Sequence, residues 1–348
     1  MKVKLLYNWK WMMTVLMGIV IFLLCLFPFR ALLNYHEETH LFRWTSYYFK
    51  EQMSSLQGFW EYVVSFVVQF FYVAALGSLI VAVLFMICQR IIWWFLKRVK
   101  KWEVALYVIS FIPVFLLFFF LFIPSEYRKD DRFREIIHYD YLERTHQWQS
   151  ILDKTKAERP LTECGIWCTN YALGMLGQLD RMESYPQCGP DGLLNDAIQK
   201  PSVVLYSMSD IYFQLGAVNE AERIAFNAKQ YLPNERKSGR LYRRLAEANL
   251  VNGHYEIAEK YLHYLESTLF YRSFANRWLT DLGNEKKIEE TYARVRQFRQ
   301  KENRWLTSNA KELMLMQLVN ENEENKLAFY YLVAYRLLQL GYIQNGEE

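Results

Sequence analysis

Five consecutive residues, His36-Glu37-Glu38-Thr39-His40, spell the short pattern of a zinc hydrolase. On a helix, positions i and i+4 share a face, so two imidazoles could hold the metal while Glu37 activates a water, and Glu61 could be a third ligand. Three features oppose that chemistry. Glu38 puts a charge where such helices carry an uncharged residue, the stretch from Arg30 to Glu61 is too short to build a water-excluding cleft, and Glu61 stands at the mouth of an apolar run. The competing reading is an amphipathic helix beside a membrane.

Thiols form the second group. Cys164 and Cys168 fall on one helical face and Cys188 lies in the loop that follows. In an oxidising compartment a disulfide from that helix to Cys188 would pin the loop. A three-thiolate metal site would need a fourth ligand, for which His146 is the candidate, and unpaired thiols are the plain alternative. Cys25 and Cys88 sit in apolar runs and read as packing.

The third group is a patch of arginines and aromatics. Arg240, Arg243 and Arg244 occupy positions that face or border the groove of a helical repeat, and the neighbouring helix offers Tyr206, Asp210 and Phe213. Guanidinium forks bind carboxylates bidentately and aromatic rings give rigid contact, which suits an extended or acidic peptide. A solvated face with Glu247 beneath Arg243 is the alternative. A glycine-rich phosphate loop, paired carboxylates and a serine–histidine arrangement do not stand out. No catalytic residue, resident metal or cofactor is expected.

The elements that must position these groups start with a repetition between residues 202 and 271. The stretch PSVVLYSMSDIYFQLGAVNEAERIAFNAKQYLPNE is echoed by GRLYRRLAEANLVNGHYEIAEKYLHYLESTLFYR. With Gly216 laid on Gly253, Ala221 falls on Ala258, Ala225 on Leu262, Ala228 on Leu265, Leu205 on Tyr242 and Met208 on Leu245. Ser209 and Ala246 mark where two helices come close. Each unit is a helical hairpin turned at a glycine, with Pro233-Asn234 ending the first. A single hairpin cannot bury its apolar stripe, so neighbours must stack. The soluble part thus resembles the tetratricopeptide superfamily, less closely in the second copy, where Asn249 and Phe270 depart from the pattern.

Before Pro124 the 348-residue chain has eleven Lys/Arg against five Asp/Glu, and after it thirty against thirty-two. The excess behind the overall +4 therefore belongs to loops between apolar runs, and nucleic acid is not an expected partner. Three runs are long enough to cross a bilayer: about 11–29, 62–88 and 104–123. No small-x-small cleavage site follows the first, which reads as an uncleaved anchor. Arg90, Lys97, Arg98, Lys100 and Lys101 crowd the loop between the second and third runs, and lysines precede the first. The excess of basic residues puts that loop and the amino terminus in the cytoplasm and carries everything after the third run outside.

After Pro124, residues 133–156 read as a hairpin broken near Arg144-Thr145-His146, and 165–182 as another hinged at Leu176-Gly177. A turn-rich surface loop over 184–201 follows. Beyond the two repeats, a wet charged helix from Glu285 keeps weak periodicity at Ile288, Tyr292, Val295 and Phe298. A final segment ends at Leu340-Gly341-Tyr342, a cap or a half-unit completed by a partner.

The Asn170-Tyr171-Ala172-Leu173 helix, the Gln187-Cys188-Gly189-Pro190-Asp191-Gly192-Leu193 loop and the helix from Ala328 to Tyr335 together resemble a family of bacterial membrane proteins that join amino-terminal spans to a helical-repeat tail. The resemblance implies a Gram-negative inner membrane and brings no activity or substrate. The expectation is an all-α protein in two domains: a membrane domain over 1–124 with three transmembrane helices, and a tetratricopeptide-like α-solenoid over 125–348 facing the periplasm. It would be a multi-pass scaffold that binds a protein or peptide partner. The alternatives are the zinc metallopeptidase or an accessory subunit of an envelope export or polysaccharide assembly system.

Overall fold

A computed structural model describes residues 2–54, 58–98, 102–195, 202–232, 236–301 and 311–341, with side chains from Trp9 onward. Pro233-Asn234, Lys100, Lys101 and Tyr342 lie outside the described residues. Among the described residues every regular element is helical. The chain divides into two units: residues 1–37 with 51–133, and residues 38–50 with 134–348. The first unit runs on to Phe133, and a thirteen-residue segment between the first two apolar helices, 38–50, belongs to the second unit.

The first unit holds three helices long and apolar enough to cross a membrane: Trp9–Leu26, Ala74–Leu96 and Glu103–Phe122. The first lies within α1 (Lys2–Leu26) and is followed by α2 (Arg30–Glu38) and α3 (Ser46–Met53). The run expected to span from 62 to 88 is broken instead. It gives a short α4 (Gly58–Val68), a tight turn over Gln69–Tyr72, and an extended Val73 from which α5 (Ala74–Leu96) starts. Hydrophobicity alone does not fix a helix end here. Gln69 caps the break by donating to the Phe66 carbonyl (2.8 Å), and Phe71 folds back to pack against Gly77. The third span consists of α6 (Glu103–Ile109) and α7 (Phe111–Leu117), completed by a wider turn over Phe118–Phe122. It is interrupted at Ser110 because Pro113 lacks the N–H that would bond the Ile109 carbonyl.

A short α8 (Ser125–Lys129) leads into α9 (Asp131–Arg144), on which the chain enters the second unit. There α9 turns at His146 (φ 55°) into α10 (Trp148–Ala157), the expected break. Next, α11 (Glu163–Met175) packs on α10 and ends at the Leu176-Gly177 hinge. The loop that follows does not lie on the surface as its composition suggests. Gln187 is buried and exchanges hydrogen bonds with Asn170 across α11 (2.9 and 3.1 Å), while Asn170 also donates to the Gly192 carbonyl (2.9 Å). Satisfied amide pairs let a turn-rich segment go inside.

The repeated stretch folds as two hairpins in the expected register. They are α12 (Ser202–Leu215) with α13 (Val218–Gln230), and α14 (Gly239–Asn252) with α15 (Tyr255–Glu266). Gly216 and Gly253 both take positive φ (94° and 79°). Ala221, Ala225 and Ala228 are fully buried, as are Ala258, Leu262 and Leu265 at the equivalent places. The first hairpin packs on the second through α13 and α14, and α16 (Arg272–Thr280) continues on α15.

The pattern then changes. Helix α17 (Glu285–Phe298) turns back across α12 and α14. Its weak stripe is an inner face, with Ile288 and Val295 buried and the Tyr292 ring against Phe213 and stacked on Trp278. The last pair, α18 (Lys311–Glu321) and α19 (Lys326–Gln339), is a complete hairpin. It returns to the beginning of the unit, since α19 packs on α11 and Asn325 donates to the Leu215 carbonyl at the end of α12 (2.9 Å).

Candidate functional site

The arginine patch is a charged cluster in the interior of the second unit. Helix α14 presents Arg240, Arg243 and Arg244 on neighbouring turns, α12 presents Tyr206, Asp210 and Phe213, and Glu247 lies one turn along α14. All seven residues singled out by the sequence are brought together. Their partners, however, belong to the same chain. The Arg240 guanidinium reaches four carboxylates: Glu38 (2.7 Å), Asp140 (2.8 Å), Glu143 (2.9 Å) and Asp210 (2.6 Å). Arg144 also holds Glu38 (2.9 Å), and Arg244 pairs with Asp210 and with Glu247 (2.9 Å). Tyr206 is buried beneath Arg240 and its hydroxyl donates to the Glu38 carbonyl (3.3 Å); Phe213 is buried beneath Arg244.

The face assigned to a partner peptide is therefore covered by Glu38, by α9 and by α17, and the groove reading needs that correction. Only Arg243, with 45% of its side chain exposed over Glu247, keeps the solvated character of a docking residue. Four residues of the site, Glu38, Asp140, Glu143 and Arg144, were missed in the sequence. The legible signal lay on α9, where Asp140 and Glu143 continue the stripe begun by Ile136 and Ile137. Carboxylates at buried helical positions need a cation from elsewhere in the fold.

Burial acts on Glu38, Asp140, Glu143 and Asp210, and the arginines outweigh it at Glu38 and Asp210 but not at Asp140 and Glu143. Burial pushes the Asp140 carboxyl up to about 8, opposed by Arg240 and reinforced by Glu38. Burial, and then the charge of Asp210, push Glu143 well above the carboxylate range. Burial also works against the Glu38 anion, but Arg240 and Arg144 outweigh it and hold that carboxyl low. For Asp210 burial is likewise overcome by Arg244 and Arg240, which hold it at about 2. The cluster is thus a set of carboxylates clamped by guanidinium, with Asp140 keeping its proton at neutral pH.

The sign of the pH dependence follows. A carboxyl raised in the folded state contributes stability fully below its ordinary range and loses it as pH rises through the folded value. The full chain in detergent should therefore melt at a lower temperature at pH 9 than at pH 6. Asp140→Asn, which imitates the protonated acid, should flatten that slope. A wild-type melting temperature that is level or rising over this range would overturn the proton assignment. Asp210 acts in the opposite sense, and its contribution is lost as pH falls towards 2.

The zinc pattern is taken apart by the fold. Helix α2 stops at Glu38, so His40 lies beyond its end and the i,i+4 face is not formed. His36 Nε2 donates to the Phe122 carbonyl (2.7 Å), Thr39 Oγ1 lies 3.1 Å from His40 Nδ1, and Glu38 is committed to the arginines. Glu61 lies in the first turn of α4. No three His, Cys, Asp or Glu are grouped as metal ligands among the described residues.

Of the two readings of the thiols, the structure has no disulfide joining Cys164, Cys168 and Cys188. A hydrogen bond with Cys164, and then burial, raise the Cys168 thiol well above its usual value. Cys188 Sγ instead packs against Gly192 within its own loop.

A second polar cluster, unforeseen in the sequence, pins the three spans of the first unit. Lys10 pairs with Glu103 and lies 4.6 Å over the Trp93 ring. Thr14 donates to Gln89 (3.0 Å), Gln89 donates to Ser110 (2.8 Å), Ser110 donates to the Tyr107 carbonyl, and Tyr107 donates to the Lys10 carbonyl. Each donor in that circuit has its acceptor, which is what burial among apolar helices requires.

One family model matches residues 7–128 and again 121–340. The chain belongs to DUF6057, a family of unknown function. No curated protein and no solved structure matches it at a significant level. The two DUF6057 matches meet over 121–128, just before Phe133, where the first structural unit ends. Membership in DUF6057 thus covers both the arginine cluster and the pinned spans.

Proposed function

We propose that the chain is a membrane-anchored, tetratricopeptide-like scaffold of the bacterial cell envelope, with its helical unit on the outer face of the inner membrane. The observation that carries this reading is the Glu38–Arg240 ion pair. With three crossings, the segment after the first span and the tail after the third emerge on one side. Glu38 through Lys50 comes from that segment and folds as part of the tail's own unit. Basic residues crowd the opposite loop, which favours the cytoplasm for that loop and the outer side for the unit.

The binding role is supported by surface chemistry on the last hairpin. Leu313 on α18 and Phe329, Tyr330 and Val333 on α19 are exposed apolar side chains on neighbouring helices. Such patches mark contact surfaces on otherwise soluble folds. With the arginine face occupied internally, the partner-binding surface moves to this hairpin and to the neighbourhood of Arg243. An accessory subunit of an export or assembly system would differ from this reading only in its partner.

Two measurements test the proposal. A reporter fused at the carboxyl terminus should be active only outside the cytosol, and cytosolic activity would overturn the orientation. Photo-crosslinking residues at Phe329, Val333 and Arg243 in intact cells should give one discrete protein adduct, weakened at least tenfold by Phe329→Glu. Adducts with lipid alone at all three positions would remove the scaffold role.

A further inference from the structure

A groove runs along the first unit between α1 and α5, with a volume of 680 Å³ that falls within the roughly 300–1,000 Å³ of ligand clefts. Trp11, Val15, Val83, Met86, Ile87 and Ile91 line its length. Its one charged lining residue is Arg90. The Arg90 guanidinium is stacked 3.7 Å from the Trp11 ring, which fixes its orientation. Among the described residues it has no ion pair. Arg98, over the Trp94 ring at 4.8 Å, adds a second cation at the same end.

The depth of this end is marked by its neighbours. Trp9, Trp11, Trp94, Phe95 and Trp102 are all exposed around it. Exposed tryptophans near the ends of spans form the belt that sits at headgroup level. Arg90 precedes the end of α5 by six residues, about 9 Å of helix. Its charge therefore lies just inside the interface, where long cationic side chains meet phosphates.

We propose that this groove binds one phospholipid of the leaflet on the basic-loop side. The phosphate diester is held by Arg90 with Arg98 in support, and an acyl chain lies along Val15, Val83, Met86 and Ile87. The charge pattern selects this occupant over a second copy of the chain. Within the spans the only carboxylate is Glu103, and it is engaged by Lys10, so a second copy brings no anion to Arg90. A phospholipid supplies the anion and the apolar chain in one molecule. Guanidinium binds phosphate by paired charge-assisted hydrogen bonds, the geometry that a planar fork offers a phosphate diester.

The test uses the full chain, purified in detergent and stripped of lipid. Dioctanoyl phosphatidylglycerol, dioctanoylglycerol and inorganic phosphate are titrated separately, with bound ligand counted by native mass spectrometry. Wild type is expected to retain one phosphatidylglycerol per chain, with dioctanoylglycerol and phosphate each at least tenfold weaker. Arg90→Gln should weaken the phospholipid at least tenfold. Val15→Trp, which leaves Arg90 in place and fills the groove, should do the same and stands in should Arg90→Gln fail to fold. The proposal is overturned if both variants retain the phospholipid as wild type does. It is equally overturned if dioctanoylglycerol or phosphate binds as tightly as the phospholipid, or if the groove is closed by a second copy with mass doubling at every lipid concentration.

Discussion

Arg240→Met should lose a large share of the stability of the helical unit. A guanidinium with 10% of its side chain exposed would leave, and four carboxylates, Glu38, Asp140, Glu143 and Asp210, would lose their common cation. Removing one partner of a buried ion pair costs about 3–5 kcal/mol, and here Glu38 would keep only Arg144 and Asp210 only Arg244. Against total stabilities of about 5–15 kcal/mol that is a large share. Thermal or denaturant unfolding of the full chain in detergent measures it, and a midpoint unchanged from wild type would show the cluster to be dispensable. Adding Glu38→Gln and Asp210→Asn should restore part of the loss, since these are the carboxyls held low and their neutral isosteres need no counter-ion. Arg243→Ala provides the contrast: its pair with Glu247 is partly solvated, and exposed pairs contribute at most about 1 kcal/mol.

Gly216→Ala should be the most damaging of the hinge substitutions. The residue has φ of 94°, and a methyl group there would lie 2.3 Å from the Phe298 carbonyl oxygen, a backbone atom at the end of α17. Strain in the left-handed region costs on the order of 1–3 kcal/mol, and the collision must also displace α17 from the face it covers. Gly253 occupies the matching place in the second hairpin with φ of 79°, but its nearest outside atom is 3.9 Å away. Gly253→Ala should therefore cost only the backbone strain, on the order of 1 kcal/mol. The difference between the two variants, measured by the same unfolding experiment, isolates the close approach of α17. Equal losses would mean that α17 is not held against Gly216.

The same pair of glycines shows how far the sequence can be read. Their equivalence, the apolar positions that follow them and the three apolar runs all rest on local spacing, which an isolated chain displays. The register over 202–271 follows because Ala221 and Ala258 have no other face to bury. The break near Val73 was hidden, because Phe66, Phe70 and Phe71 read as one continuous apolar stretch whether the backbone is helical or folded back. The loop at Gln187 was misread for the opposite reason. Turn-forming residues suggest water, and only the amide exchange with Asn170 permits their burial.

The sequence by itself determined that this is an all-helical chain with three membrane-length apolar helices and a pair of repeated hairpins, because periodicity and glycine punctuation are properties of neighbouring residues. The tertiary structure alone decided what the arginines of α14 touch. Glu38 is two hundred residues away from Arg240, and Asp140 a hundred, as the chain is numbered. No local pattern encodes which distant carboxylates a buried guanidinium will gather, since that depends on the fold bringing unlike charges to one dry place and on the high cost of leaving any of them there alone.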